Sequence, residues 1–277
     1  MAEQRRASHT HRMSEIRVNS VTLYYEEHGV GEPIVCIHGT GSSSVLWQGP
    51  ALELATRGRT IVYDRRGFSR SERPEPFVTN VRQHADDAAA LVDALAAAPA
   101  IVIGRSQGGE IAVDLALRFP DRVRALALLE GGGLSLSEGM RLWTAEFDAR
   151  LFAAAEADMS TVGETLLREV LGDGVWEELP ELVKETFTAN GPAIVAEERG
   201  GLLDVTAGQL GTIAQPTLIV CAEDSPPVVA EAISLVAAAM PSARVEWVEG
   251  GHLINPAHAV VLGFVDEVLA GPAAVAR

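Results

Sequence analysis

Gly104-Arg105-Ser106-Gln107-Gly108 puts a hydroxyl at the centre of a short turn, between the apolar run Ala100 to Ile103 and a helix-patterned stretch from Gln107 to Phe119. A serine on a sharp strand-to-helix bend projects its oxygen clear of the backbone. Glycines two before and two after it remove side chains that would collide with the bend. Such a hydroxyl becomes a nucleophile for acyl transfer once a base takes its proton. The pattern alone is weak, and a serine that merely caps the helix stays open at this point; the flanking strand and helix make the case. The base needs an imidazole on a flexible loop near strand carboxyl ends. His252 follows Val245-Glu246-Trp247-Val248 and the Glu249-Gly250-Gly251 turn, and it alone fits. His9 and His11 fall in a polar N-terminal stretch, His28 and His84 lie far from strand carboxyl ends, His258 falls in the last helix, and His38 ends a strand as a structural residue. A tetrahedral oxyanion needs two donors placed in advance, each worth about 3–4 kcal/mol. The backbone amide of Gln107, at a helix start whose dipole favours negative charge, supplies one. Thr40, in the loop His38-Gly39-Thr40-Gly41-Ser42, supplies the other unless that loop is an ordinary glycine-rich turn.

These groups must be held by strands and helices, and the chain alternates between the two. Ile16 and Val18, then Val21, Leu23 and Tyr25, alternate across Asn19-Ser20 as a hairpin. Continuous apolar runs at Pro33–Ile37, Thr60–Tyr63, Ala100–Ile103, Val123–Leu129 and Pro216–Cys221 suit strands buried on both faces, with a further strand at Arg244–Val248. Helices are expected over Ser43–Arg57, from an Asn80 cap to Ala98, over Gln107–Phe119, from Pro227 to Met240 and from Pro256 to Leu269. That alternation predicts an α/β class with a mostly parallel sheet covered on both faces. From Gly131 to about Gln215 it stops. The stretch is acidic and helix-favouring, and it reads as an inserted helical cap, with Trp143, Phe147, Phe152 and Trp176 as candidate pocket walls. The expected division is a disordered tail over 1–13, a core over 14–133 and 210–277, and a cap over 134–209.

Composition narrows the partners. The 277 residues are 47% hydrophobic and carry a formal charge of -16, so a large core forms and phosphate-backbone binding is disfavoured. Cys36 and Cys221 both sit in apolar β-branched runs and read as small core residues, neither a disulfide nor a metal site. No apolar run reaches the roughly 18 residues of a membrane span, and Met1 to Arg12 lacks a signal-peptide core. The expectation is a cytoplasmic protein with no nucleic-acid or membrane partner, no metal and no cofactor; self-association is left open.

His38-Gly39-Thr40-Gly41, the Tyr63-to-Ser71 segment, Gly104-to-Gly108 and Gly250-Gly251-His252 together resemble the α/β-hydrolase superfamily, from about Arg17 to Leu269. The resemblance implies that fold with an inserted helical cap, and a chain order in which the base follows the serine. It also exposes two departures. Ser69 replaces the second glycine of the family's D-x-R-G-x-G-x-S loop. Ser225, in Ala222-Glu223-Asp224-Ser225-Pro226, stands where the family usually places its acid. Two carboxylates could substitute. Glu130 ends the strand after the nucleophile helix, as in certain lactone hydrolases and dehalogenases of the superfamily, and is favoured; Asp224, one residue early, is the alternative. A serine at the elbow sets the chain apart from relatives that use aspartate there. The implied chemistry is cleavage of a carboxylic ester or lactone through an acyl-serine; as the small-molecule substrate, an apolar, uncharged one of medium size fits the sequence best. The alternatives are carbon–carbon bond hydrolysis, or a cofactor-free perhydrolase or acyltransferase using the same residues. A non-catalytic binding module on this fold is the remaining class.

Overall fold

The computed structural model describes residues 11–271. The chain opens with a hairpin of β1 (His11–Val18) and β2 (Val21–His28), joined at Asn19 (φ 45°) and Ser20 (φ 65°). Two consecutive positive φ values give the turn whose twist matches paired strands. The expected tail over 1–13 is overturned at its end, since His11, Arg12 and Met13 pair with Glu26 to His28; residues 1–10 lie outside the described residues. The side chains of His11, Arg12 and Met13 are exposed on the last strand of the sheet, where no apolar pattern is demanded.

The alternating part then runs β3 (Pro33–Ile37), α1 (Gln48–Leu54), β4 (Arg59–Tyr63), α2 (Val81–Ala94), β5 (Ala100–Arg105), α3 (Gln107–Arg118) and β6 (Val123–Leu129). The helix expected over Ser43–Arg57 is split. A 3-10 turn at Ser44–Trp47 precedes α1, with the Ser44 amide and hydroxyl both held 2.7 Å from an Asp64 carboxylate oxygen. The Asn80 side chain does cap α2, accepting from Gln83 N at 2.9 Å. That helix stops short of Ala98 because Ala96 turns into the left-handed region at φ 49°.

Between β6 and β7 (Thr217–Ala222) lie only helices among the described residues: a 3-10 turn (Leu134–Leu136), α4 (Glu138–Ala157), a second 3-10 turn (Met159–Thr161), then α5 (Val162–Leu171), α6 (Val175–Glu178), α7 (Glu181–Ala189), α8 (Gly191–Gly200) and α9 (Ala207–Leu210). They bury an apolar cluster of their own, including Phe147, Leu151, Leu166, Phe187 and Ile194, with Phe68 reaching into it from the sheet side. The chain closes with α10 (Pro227–Ala239), β8 (Ala243–Val248) and α11 (Ala259–Ala270).

The eight strands among the described residues form one sheet in the order β1-β2-β4-β3-β5-β6-β7-β8, with β2 antiparallel to both of its neighbours and every pair from β4 to β8 parallel. Successive residues of a strand face opposite sides, so each apolar strand feeds two cores. Val35, Ile37, Val102, Leu126 and Ile219 pack with α2, α3 and α10, whereas Ile34, Cys36, Ile101, Ala127 and Leu218 pack with α1 and α11. Among the described residues no helix is long and apolar enough to cross a membrane. With the strands aligned, the carboxyl ends of β3, β5, β6, β7 and β8 open on one edge, and the loops carrying Thr40, Ser106, Glu130, Ser225 and His252 gather there.

Candidate active site

Ser106 stands between β5 and α3 at φ 54°, ψ -125°. A non-glycine residue held there is strained, and the surroundings must impose it. They do so by close approach. A Cβ on Gly104 would lie 2.2 Å from Gly108 O, and one on Gly108 would lie 2.1 Å from Ile37 O. The Ser106 amide donates to Leu129 O at 2.8 Å, which ties the bend to β6.

Glu130 follows directly on β6, also at positive φ (54°), and is fully buried. Its Oε1 accepts from the Ala222 amide at 2.6 Å. Its Oε2 accepts from the Ser225 hydroxyl at 2.6 Å and lies 3.3 Å from His252 Nδ1. Burial would raise this carboxyl, but the bonds from His252, Ser225 and Ala222 outweigh it and hold the group below its ordinary range. Asp224, by contrast, is exposed; its backbone amide bonds Gly250 O, and no side-chain bond joins it to His252 among the described residues. Of the two carboxylates weighed from sequence, the fold brings Glu130 to the imidazole. Ser225, which looked like a missing acid, is instead a donor to the carboxylate that meets the imidazole.

With Nδ1–H given to Glu130, the Nε2 lone pair of His252 is free to accept a proton. Ser106 and His252 line one cavity of about 110 Å³, together with Thr40, Gln107 and Glu130. No direct hydrogen bond joins the hydroxyl to the imidazole among the described residues. The amides of Thr40 and Gln107 likewise engage no protein acceptor among the described residues, leaving two donors at the same end of the cavity. His38 is excluded from proton transfer by its bonds: one ring nitrogen faces Gly39 O at 2.8 Å and the other accepts from Arg65 N at 3.0 Å. Burial, reinforced by Arg65, keeps it neutral by pushing its pKa well down.

The inserted helices supply the rest of the wall: Met140, Trp143 and Phe147 from α4, Leu166 from α5, and Phe187 from α7. Trp143 and Phe147 stack with ring centroids 5.6 Å apart. Phe152 and Trp176, the other two aromatic candidates, pack within the inserted helices and do not reach the cavity.

Three features were not legible in the sequence. Asn190, at the α7–α8 junction and buried, donates to Gly41 O (2.9 Å) and Ser42 O (3.2 Å), while its Oδ1 accepts from Ser69 N (2.8 Å). It thereby clamps the loop that carries Thr40. Glu110 and Glu198 put two carboxyls into the cavity wall. Burial pushes Glu110 up to about 7 despite the Leu134 and Gly133 amides that bond it. Burial, with Glu197 and Asp148 nearby, raises Glu198 well above the carboxylate range. No motif carries such residues; they emerge only when the insertion is laid over the sheet.

Comparison with known proteins agrees with this architecture. The family described as alpha/beta hydrolase fold matches residues 32–259. A protein named as a carbamate hydrolase, RutD, of Azorhizobium caulinodans is 27% identical over 270 residues, 89% of this chain and 96% of its own. The 2-hydroxymuconate semialdehyde hydrolase of Pseudomonas sp. is 37% identical over 131 residues, 46% of either chain. The solved structure of an N-acyl homoserine lactone degrading enzyme superposes with a TM-score of 0.71 at 27% identity, covering 91% of this chain and 98% of that one.

Proposed function

The chain belongs to the α/β-hydrolase fold family, and on that premise we propose that it is a serine hydrolase cleaving a carboxylic ester or lactone through an acyl-enzyme. The observation that carries this reading is the buried Glu130 carboxylate within 3.3 Å of His252 Nδ1, in the same cavity as a serine held on a strained bend.

In the proposed sequence, His252 Nε2 takes the Ser106 proton as Oγ attacks the carbonyl carbon, and Glu130 stabilises the imidazolium that forms. The carbonyl oxygen turns anionic between the Thr40 and Gln107 amides. Collapse of that intermediate breaks the bond to the alcohol oxygen, which takes the proton held by His252; an ester's alcohol then departs, whereas a lactone's hydroxyl stays tethered to the acyl group. Water then repeats the cycle on the acyl-serine and frees the acid. Serine–imidazole contacts are often long without substrate and tighten when it binds. Helices α4 to α9 act as a cap. Their apolar wall suits an uncharged acyl or alcohol part of modest size, and the likeness to a lactone-degrading enzyme points the same way.

Carbon–carbon bond hydrolysis is the second reading, favoured by the 37% identity to a semialdehyde hydrolase over the segment they share. A fluorophosphonate probe should label wild type and not Ser106→Ala, and absence of label in folded protein sinks the enzyme reading. A panel of p-nitrophenyl esters, lactones and vinylogous diketones then separates the two: turnover of diketones without esters or lactones would replace the first with the second.

A further inference from the structure

At the far end of the sheet from this cavity, β1 and β2 assemble a second chemical cluster. His11 is the cross-strand partner of His28. Glu26 lies two residues before His28 on β2, so strand periodicity puts all three side chains on one face. His11 Nε2 lies 3.4 Å, and His28 Nε2 3.6 Å, from the same oxygen, Glu26 Oε2. The three ligand atoms fall within 4.8 Å of one another, and the imidazoles stack with centroids 4.5 Å apart. His28 and Glu26 are buried, yet beyond that 3.6 Å approach to Glu26 neither ring nitrogen of His28 gains a hydrogen bond among the described residues. An under-satisfied buried imidazole is an unusual cost for a fold to carry.

We propose that His11 Nε2, His28 Nε2 and Glu26 Oε2 bind one divalent transition cation of the zinc type. Such an ion sits about 2.0–2.1 Å from nitrogen and oxygen donors, which places tetrahedral ligands about 3.4 Å apart. The two separations from Glu26 Oε2 already match. The third edge closes through His11, the half-exposed ligand on the last strand, and water completes the shell. Two imidazoles and one carboxylate favour zinc or its neighbours over calcium and magnesium, which require oxygen ligands. The carboxylate is also oriented from behind: Glu26 Oε1 accepts from Tyr24 OH at 3.1 Å and from Arg70 Nη1 at 3.2 Å. Outer partners of this kind fix a metal ligand in place. Arg70 opposes the cation by its charge, an effect that its own bond to Asp64, at 2.9 Å, offsets. Bound metal would staple the outermost strand to β2. That reverses the expectation that His11 belongs to a loose tail and that the chain holds no metal.

The test is titration of full-length, chelator-stripped protein with zinc chloride by calorimetry, repeated with cobalt chloride by absorption. One equivalent should bind with a dissociation constant in the micromolar range or tighter, and the unfolding midpoint should rise with added zinc. His11→Ala and His28→Ala should each weaken binding by about tenfold or more. His9→Ala should leave it unchanged, as should excess magnesium. His11 is half exposed, so its variant remains informative even if His28→Ala folds poorly. Absence of uptake overturns the site. So does uptake that survives loss of His11 but not of His9, which would place the ion elsewhere.

Discussion

At the residue scale the instructive group is Ser225. A serine cannot stabilise an imidazolium as a carboxylate does, so its presence at the family's usual acid position looked like a defect. The fold turns it into a support for Glu130, which enters from the neighbouring strand with two strong bonds already made, at 2.6 Å from Ser225 and 2.6 Å from Ala222 N. Glu130→Gln keeps the shape but removes the charge. It also lets an amide N–H donate to Nδ1, which stabilises the tautomer whose Nε2 is already protonated and useless as a base. Turnover should fall on the order of 10³- to 10⁴-fold. Asp224→Asn, at an exposed position, should change it less than about twofold. Ser225→Ala removes one of the bonds that orient the carboxylate and should lower kcat about tenfold with little change in KM. Steady-state kinetics on one p-nitrophenyl ester compares all three, and an Asp224 effect as large as that of Glu130 would reverse the assignment.

At the element scale, the site depends on how α7 and α8 grip the loop after β3. Asn190 satisfies two buried loop carbonyls and the partly buried amide of Ser69. Asn190→Ala leaves those groups without partners, at about 1–3 kcal/mol of stability. It also loosens the backbone that aims Thr40 N–H, so kcat should fall by about 10- to 100-fold. Urea unfolding and kinetics on the same preparation check both, and a stability loss with unchanged kcat would confine Asn190 to scaffolding. The contrast with the elbow shows what a sequence makes legible. Gly104 and Gly108 are dictated by local backbone contact, so their spacing around Ser106 announces the bend. The Gly250-Gly251 turn announces His252 differently, through the positive φ of Gly250 (102°), since a side chain at either glycine would meet only open space. Asn190 acts across the interface between insertion and sheet, where nothing local distinguishes it from a helix-capping asparagine. The same limit explains the aromatic walls. Trp143 and Phe152 are equivalent by type, and only the rotation of α4 decides that the first faces the cavity. The start of β1 at His11 is silent in the sequence for the opposite reason, because an exposed outer strand places no constraint on its residues.

For the whole molecule, the buried carboxyls set the pH at which the fold is most stable. Glu110 is raised to about 7 from an ordinary 4.5, chiefly by burial, so the native state keeps a proton that the unfolded chain releases in that window. Stability must therefore fall as pH rises from 4.5 to 7, by on the order of 3 kcal/mol from this group. Asp148, raised to about 6 by burial, and Glu198, raised by burial and by the neighbouring Glu197, act in the same direction. Glu197 acts in the other. Burial would raise it, but the Arg65 guanidinium and His84 hold it well below the carboxylate range. Its contribution is present above about pH 4.5 and is lost as acid protonates it. Glu130 adds to that acid-side loss for the reason given by its three donors. The net charge of -16 contributes self-repulsion at neutral pH, in the same direction as Glu110, but long-range repulsion is screened by salt whereas a buried carboxyl is not. Urea midpoints measured from pH 4 to 8.5 should peak near pH 5 and decline toward 8. Added salt should recover part of the decline. Glu110→Gln, whose amide oxygen can still accept from Gly133 and Leu134, should remove much of the remainder. A midpoint that rises between pH 5 and 7.5 would mean that Glu110 is ionised in the fold, and with it that the cavity wall is anionic. A neutral wall, by contrast, lets Glu110 and Glu198 line the cavity without repelling the negative charge that the proposed reaction would develop on the substrate oxygen.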